Sequence, residues 1–127
     1  MEKEFIPYEQ ALELKELGFD EPCFMQYDKN GLVENVFGRF RNSYFNLADQ
    51  VSTPTFSQAF RWFRKEHYIH CEISETTDWE EDNESWTFII YKYKLGDNDA
   101  MKRSITDYKT YEEAELACLQ KLIEIVK

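Results

Sequence analysis

The stretch TYEEAELACLQKLIEIV (110–126) constrains the fold more than any other. Thr110 and Glu113 form a capping box: the hydroxyl serves the Glu113 amide and the carboxylate reaches back. Good helix formers follow without interruption. On the helical period Tyr111, Ala114, Cys118, Leu122 and Ile125 share one side, and Leu119, Ile123 and Val126 widen it. So broad an apolar arc needs heavy burial, and a sheet can supply it. Glu115 is the one polar residue inside the arc. It either reaches solvent from the second turn or, once buried, needs a cationic or hydrogen-bonding partner, for which a basic segment earlier in the chain is the obvious source.

Strands are legible elsewhere. In YIHCEIS (68–74) Ile69, Cys71 and Ile73 alternate with His70, Glu72 and Ser74, the period of a half-buried strand. WTFIIYKYKL (86–95) is rich in aromatic and β-branched residues. CFMQYD (23–28) and Leu32 to Phe37 read as a hairpin, joined at Asp28-Lys29-Asn30-Gly31, where Asn and Gly accept positive φ. FGRFRNSYF (37–45) continues the sheet or becomes an irregular loop, and NLADQVSTP (46–54) has turn composition. ETTDWEEDNES (75–85) reads as a polar connection, GDND (96–99) as a tight turn, and 101–107 as a further strand candidate.

Two more helices complete the pattern. One covers 7–17, with Pro7 at its first position and Gly18 as a left-handed cap. The other runs from Thr55 to Glu66, capped by Thr53 or Thr55. The expected architecture is a single α+β domain over 1–127. It is an antiparallel or mixed sheet of hairpins with about three helices packed on it, in the order α-β-β-(β)-α-β-β-(β)-α.

No apolar run approaches the roughly 18 residues that cross a bilayer, and MEKEFIPYEQ lacks the apolar core of a signal peptide. The cysteines, Cys23, Cys71 and Cys118, are odd in number and far apart, so they are expected as reduced thiols in a cytoplasm, packed as small hydrophobes.

Charge is uneven in this chain of net charge −10. Residues 1–35 carry a net of −6, residues 36–65 a net of +4 and residues 66–127 a net of −8. The basic island contains AFRWFRKEHYIH (59–70). In its helix Phe56, Ala59, Phe60 and Phe63 fall on one core stripe, while Arg61, Lys65 and Gln58 lie opposite and Arg64 on a flank. Trp62 sits on the other flank, where it covers a loop or stands exposed as an interface anchor.

Three occupants compete for the island. Nucleic acid is opposed by a sequence pI near 4.7, because affinity for phosphate comes mainly from basic charge. The protein's own acidic segments are a second. A protein partner is the third, since Trp, Tyr and Arg are the usual interface anchors. The expected contact surface is Trp62, Arg61, Arg64 and Lys65, with Arg39 and Arg41 as candidates to extend it.

The alternative surface is acidic. Glu9, Glu13 and Glu16 share a helix face. Together with Asp78, Glu80, Glu81, Asp82 and Glu84 they could imitate DNA phosphates and occupy a nucleic-acid enzyme. The bland reading of both is solvated surface. His67, His70 and Cys71 make a poor metal set, because His70 and Cys71 point to opposite faces of a strand. The acidic run lacks the spacing and central Gly of an EF-hand. No nucleophile elbow, phosphate loop or dinucleotide fingerprint appears, so neither catalytic residues nor a cofactor is expected. A small enzyme with no recognisable motif is the third class.

FIPYEQALELKELGFDEPCF, PTFSQAFRWFRKEH and YKTYEEAELACLQKLIEIV resemble, in this order, a family of small proteins of Bacteroidetes and their phages and integrated elements. That family has no established activity, so the resemblance transfers no site residues. It implies a bacterial cytoplasm and a phage or mobile-element origin.

Overall fold

The computed structural model describes residues 4–43, 50–78, 83–94, 97–103 and 107–127. They hold three helices and two three-stranded antiparallel sheets, an α+β arrangement in the order α-β-β-β-α-β-β-β-α. That is the expected order, but the strands form two sheets rather than one. The chain divides into two compact units, Met1–Ala59 with Lys127, and Phe60–Val126.

In the first unit α1 (Tyr8–Glu16) starts one residue later than the sequence suggests, because Pro7 is extended and stands at the N-cap. At the other end Gly18 takes φ 98°. There the Gly18 amide donates to Lys15 O (3.1 Å) and the Phe19 amide to Leu14 O (2.9 Å), the paired closure of a Schellman motif. Phe19 folds back and is buried with Ala11 and Leu14.

β1 (Cys23–Tyr27) and β2 (Val33–Phe40) are joined as expected. The Asp28 carboxylate accepts the amides of Asn30 (2.8 Å) and Leu32 (3.0 Å), and Gly31 supplies φ 77°. β3 (Val51–Thr53) pairs with the other edge of β1, giving the order β2-β1-β3. This strand falls where turn composition was read, and three residues are too few to show a period. Thr53 Oγ1 and Tyr27 OH both donate to Ile6 O, at 2.7 and 2.8 Å, which fixes the chain ahead of α1 against the sheet. β2 stays in the sheet through Phe40 but bulges. Cys23 pairs with Phe40 and Met25 with Asn35, so four residues of β2 stand against one of β1. Phe37 (φ 54°) and Gly38 (φ 75°) make the bulge. At Gly38 a Cβ would lie 3.2 Å from the Phe24 ring.

α2 (Phe56–His67) begins in the first unit and ends in the second. Thr55 caps it, its hydroxyl accepting the Gln58 amide at 3.1 Å. The expected stripe of Phe56, Ala59, Phe60 and Phe63 is buried.

The second unit is a meander of β4 (Ile69–Asp78), β5 (Asn83–Lys94) and β6 (Asp97–Arg103), with α3 (Tyr111–Val126) packed on β4 and β5. The acidic connection is shorter than the sequence suggests. β4 continues to Asp78 and β5 starts at Asn83, with the Thr76 and Ser85 hydroxyls hydrogen-bonded across the strands. Strand also begins at Asp97, inside the expected turn. Ahead of α3, Trp86 and Tyr108 exchange both backbone hydrogen bonds, at 2.7 and 2.8 Å. Thr110 Oγ1 accepts the Glu113 amide as expected, while the Glu113 carboxylate takes the Lys109 amide, one residue upstream of the expected partner. Ala114, Cys118, Leu119, Leu122 and Ile123 are buried against Ile69 and Ile90, the core of this unit.

Candidate functional site

The expected anchor is not available. Trp62 is 5% exposed; its indole meets the Phe63 ring edge-on at 5.0 Å and the His67 imidazole at 4.9 Å. These neighbours draw the flank of α2 into the core and correct the reading of Trp62 as a contact residue. A ring at that flank is exposed or buried according to what covers it, which helical phase alone does not decide.

Arg61, Arg64 and Lys65 are exposed and make no hydrogen bond or ion pair among the described residues. An internal dock onto the protein's own acidic segments is therefore not seen there. A different aromatic joins them. Tyr68 is 65% exposed and follows Arg61, Arg64 and Lys65 by seven, four and three residues in the chain. It directly follows the last residue of α2 and takes φ 57°, the left-handed conformation that usually goes to glycine at a helix end. For a tyrosine that backbone costs about 1 kcal/mol. No glycine follows His67, so a left-handed close of this helix has to be made by a tyrosine.

Arg39 is exposed on β2 and Arg41 half-buried just beyond it; both belong to the first unit. Of the acidic stripe, Glu9 and Glu16 are exposed, while the Glu13 carboxylate pairs with Lys127 Nζ at 2.9 Å. Asp78 and Glu84 lie in β4 and β5, and Glu80, Glu81 and Asp82 fall outside the described residues. His67 packs on Trp62, whereas His70 faces Tyr91 across the strands with ring centres 6.3 Å apart. No three metal-ligating side chains converge among the described residues.

A second surface went unnoticed in the sequence. In the first unit Phe24 (67% exposed), Leu32 (64%) and Phe37 (73%) stand open to water. Phe24 and Leu32, with Phe5, Tyr27 and Val33, line an opening of about 570 Å³. Its walls are fixed: Tyr27 is held by its bond to Ile6 O and by edge contact with Tyr8 at 5.3 Å. Phe37 sits in the bulge itself, and a bulge leaves no periodic trace in the sequence.

Glu115 is half-buried and finds its partner locally. Tyr111, one turn earlier on α3, and not a cation from the basic island, is the neighbour that favours its charged form. Burial raises the Glu115 carboxyl above the usual range, while the Tyr111 bond opposes that shift. Burial also raises Tyr111, with Glu115 adding to it. Close by, the thiols of Cys71 and Cys118 perturb each other: Cys71 is lowered by the hydrogen bond with Cys118, and Cys118 is raised by the same contact and by burial. Arg64 adds to the lowering of Cys71, which places the guanidinium within electrostatic reach of that thiol.

No helix among the described residues is long and apolar enough to cross a membrane. No family model, no curated protein and no solved structure matches the chain.

Proposed function

We propose that this chain is a non-enzymatic binding module of a bacterial cytoplasm, carried by a phage or mobile element, that holds an acidic segment of a protein partner on Arg61, Arg64, Lys65 and Tyr68. The observation that carries the reading is Tyr68, an exposed ring kept in a backbone conformation that disfavours it, close in the chain to three exposed cations that make no hydrogen bond or ion pair among the described residues. Tyr and Arg are the residue types that dominate interface energetics, and unpaired guanidinium groups recognise carboxylates in bidentate fashion. The free thiols of Cys23, Cys71 and Cys118 suit a reducing compartment.

Affinity capture from the native host, followed by mass spectrometry, tests this. Wild-type protein retains an acidic protein that is released by salt and not by competing oligonucleotide. Both Tyr68→Gly and Arg61→Glu/Arg64→Glu lose it. Capture of the same protein by these variants overturns the assignment.

The hairpin opening supports a second reading, in which the partner's apolar side chain enters between Phe24 and Leu32. Leu32→Asp then removes the captured protein while Tyr68→Gly does not.

A further inference from the structure

Strand alternation sends Ile69, Cys71 and Ile73 to the side of β4 that α3 covers, and Cys71 pairs in register with the buried Ile90 of β5. His70 faces the other way, against Tyr91, whose hydroxyl reaches Glu72 at 3.4 Å. On α3, Cys118 lies on the buried stripe with Ala114 and Leu122, fully shielded from water. Both thiols therefore lie in the layer where β4 and α3 pack, and each perturbs the other. They differ in access: Cys71 is half-buried, with Arg64 acting on it electrostatically, and Cys118 is fully buried. Glu115, one turn before Cys118 on α3, lies close to both.

We propose that Cys71 and Cys118 are a dithiol that closes to a reversible intramolecular disulfide on meeting a hydroperoxide. The Cys71 thiolate attacks the terminal peroxide oxygen and the O–O bond breaks. Cys71 is left as a sulfenic acid, and the other oxygen leaves, with a proton, as water or an alcohol. Cys118 then gives its proton to the Glu115 carboxylate and attacks the Cys71 sulfur. The S–O bond breaks and the hydroxide leaves as water, taking the proton back from Glu115. In sum, two thiols and one hydroperoxide give one disulfide, one water and one further water or alcohol, the two electrons passing from sulfur to the O–O bond. Arg64 favours the attacking thiolate, as cations beside reactive cysteines do. Cys23 is different in kind: it is buried in its own unit, its thiol donates to Glu21 O at 3.4 Å, and burial pushes it up to about 12.

The test is a count of free thiols after native protein is treated with hydrogen peroxide, together with peptide mapping of the non-reduced chain. Wild type is expected to fall from three free thiols to one, to yield a peptide linking Cys71 to Cys118, and to regain all three with dithiothreitol. Cys118→Ser carries Cys71 on to sulfinic acid, and Cys71→Ser leaves Cys118 reduced. The oxidised wild type melts about 5 °C or more above the reduced form, because the bridge closes a long loop. The proposal fails if peroxide takes wild-type Cys71 to sulfinic acid without a linked peptide, if the only disulfides join separate chains, or if all three thiols survive. Because the linked peptide is read from wild type, a variant that fails to fold does not obscure the result.

Discussion

The two units are built from the same parts, a three-stranded antiparallel sheet and a helix, and they treat their apolar surface in opposite ways. In the second unit β4 and β5 run in unbroken register and α3 covers their apolar face, so Ile69, Ile90, Leu119 and Leu122 are sealed from water. In the first unit the β1–β2 ladder breaks at a bulge, and Phe24, Leu32 and Phe37 remain open. Among the described residues each unit also holds one aromatic residue at positive φ, Phe37 in one and Tyr68 in the other. Phe37 owes its conformation to the bulge, and Tyr68 to the end of a helix. Regular pairing hides rings; an interruption of it presents them.

Truncating one leucine in each unit should give the largest difference between them. Leu122→Ala, in the sealed unit, should cost about 3 kcal/mol in urea unfolding, by lost burial and an unfilled cavity. Leu32→Ala at the open hairpin should change stability by less than about 0.5 kcal/mol. Equal costs would mean that the hairpin is covered after all.

Alkaline titration comes next. Burial holds the Cys23 thiol neutral up to about 12, whereas in the unfolded chain the thiol ionises near 9.0. The unfolded chain therefore releases its proton first. Stability from this group is complete below that value and is lost as pH rises from there towards 12, by at most about 1.4 kcal/mol per pH unit. Cys23→Ala should remove this share of the slope, and an unchanged slope would assign the loss elsewhere.

Gly38→Ala probes the bulge. The added Cβ meets the Phe24 ring at 3.2 Å on a backbone at φ 75°, so a loss of about 1.5 kcal/mol is expected. A loss as large as that of Leu122→Ala would make the bulge as rigid as the sealed core.

Tyr68→Gly is expected to make only a small change in stability, of the opposite sign. Relief of the left-handed strain should raise stability by up to about 1 kcal/mol, while removing the ring that the partner reading requires. A residue that is cheaper to lose than to keep is retained for something other than folding. A net loss of stability would return Tyr68 to an ordinary packing role.

Local chemistry was legible in the residues. The Thr110 cap, the Gly18 closure, the Asp28–Gly31 turn and the Phe56-to-Phe63 stripe each depend on side chains a few positions apart, and each is present. Features set by distant neighbours were not. Trp62 is buried because Phe63 and His67 receive it, β3 exists because β1 has a second edge, and Cys71 and Cys118 share one layer because a strand and a helix pack. The proposed site was half legible: the cations were found by charge, but the exposed aromatic that follows them is Tyr68, whose exposure depends on where α2 stops.

The reciprocal hydrogen bonds between Trp86 and Tyr108 have a kinetic consequence. Both amides are engaged in a narrow antiparallel pair just ahead of α3, so each can exchange with deuterium only when this clasp opens. The two should therefore exchange together, at a rate that reports how often the entrance to α3 lets go. That single rate, followed across variants and after peroxide, would time the opening of the helix that shields Cys118.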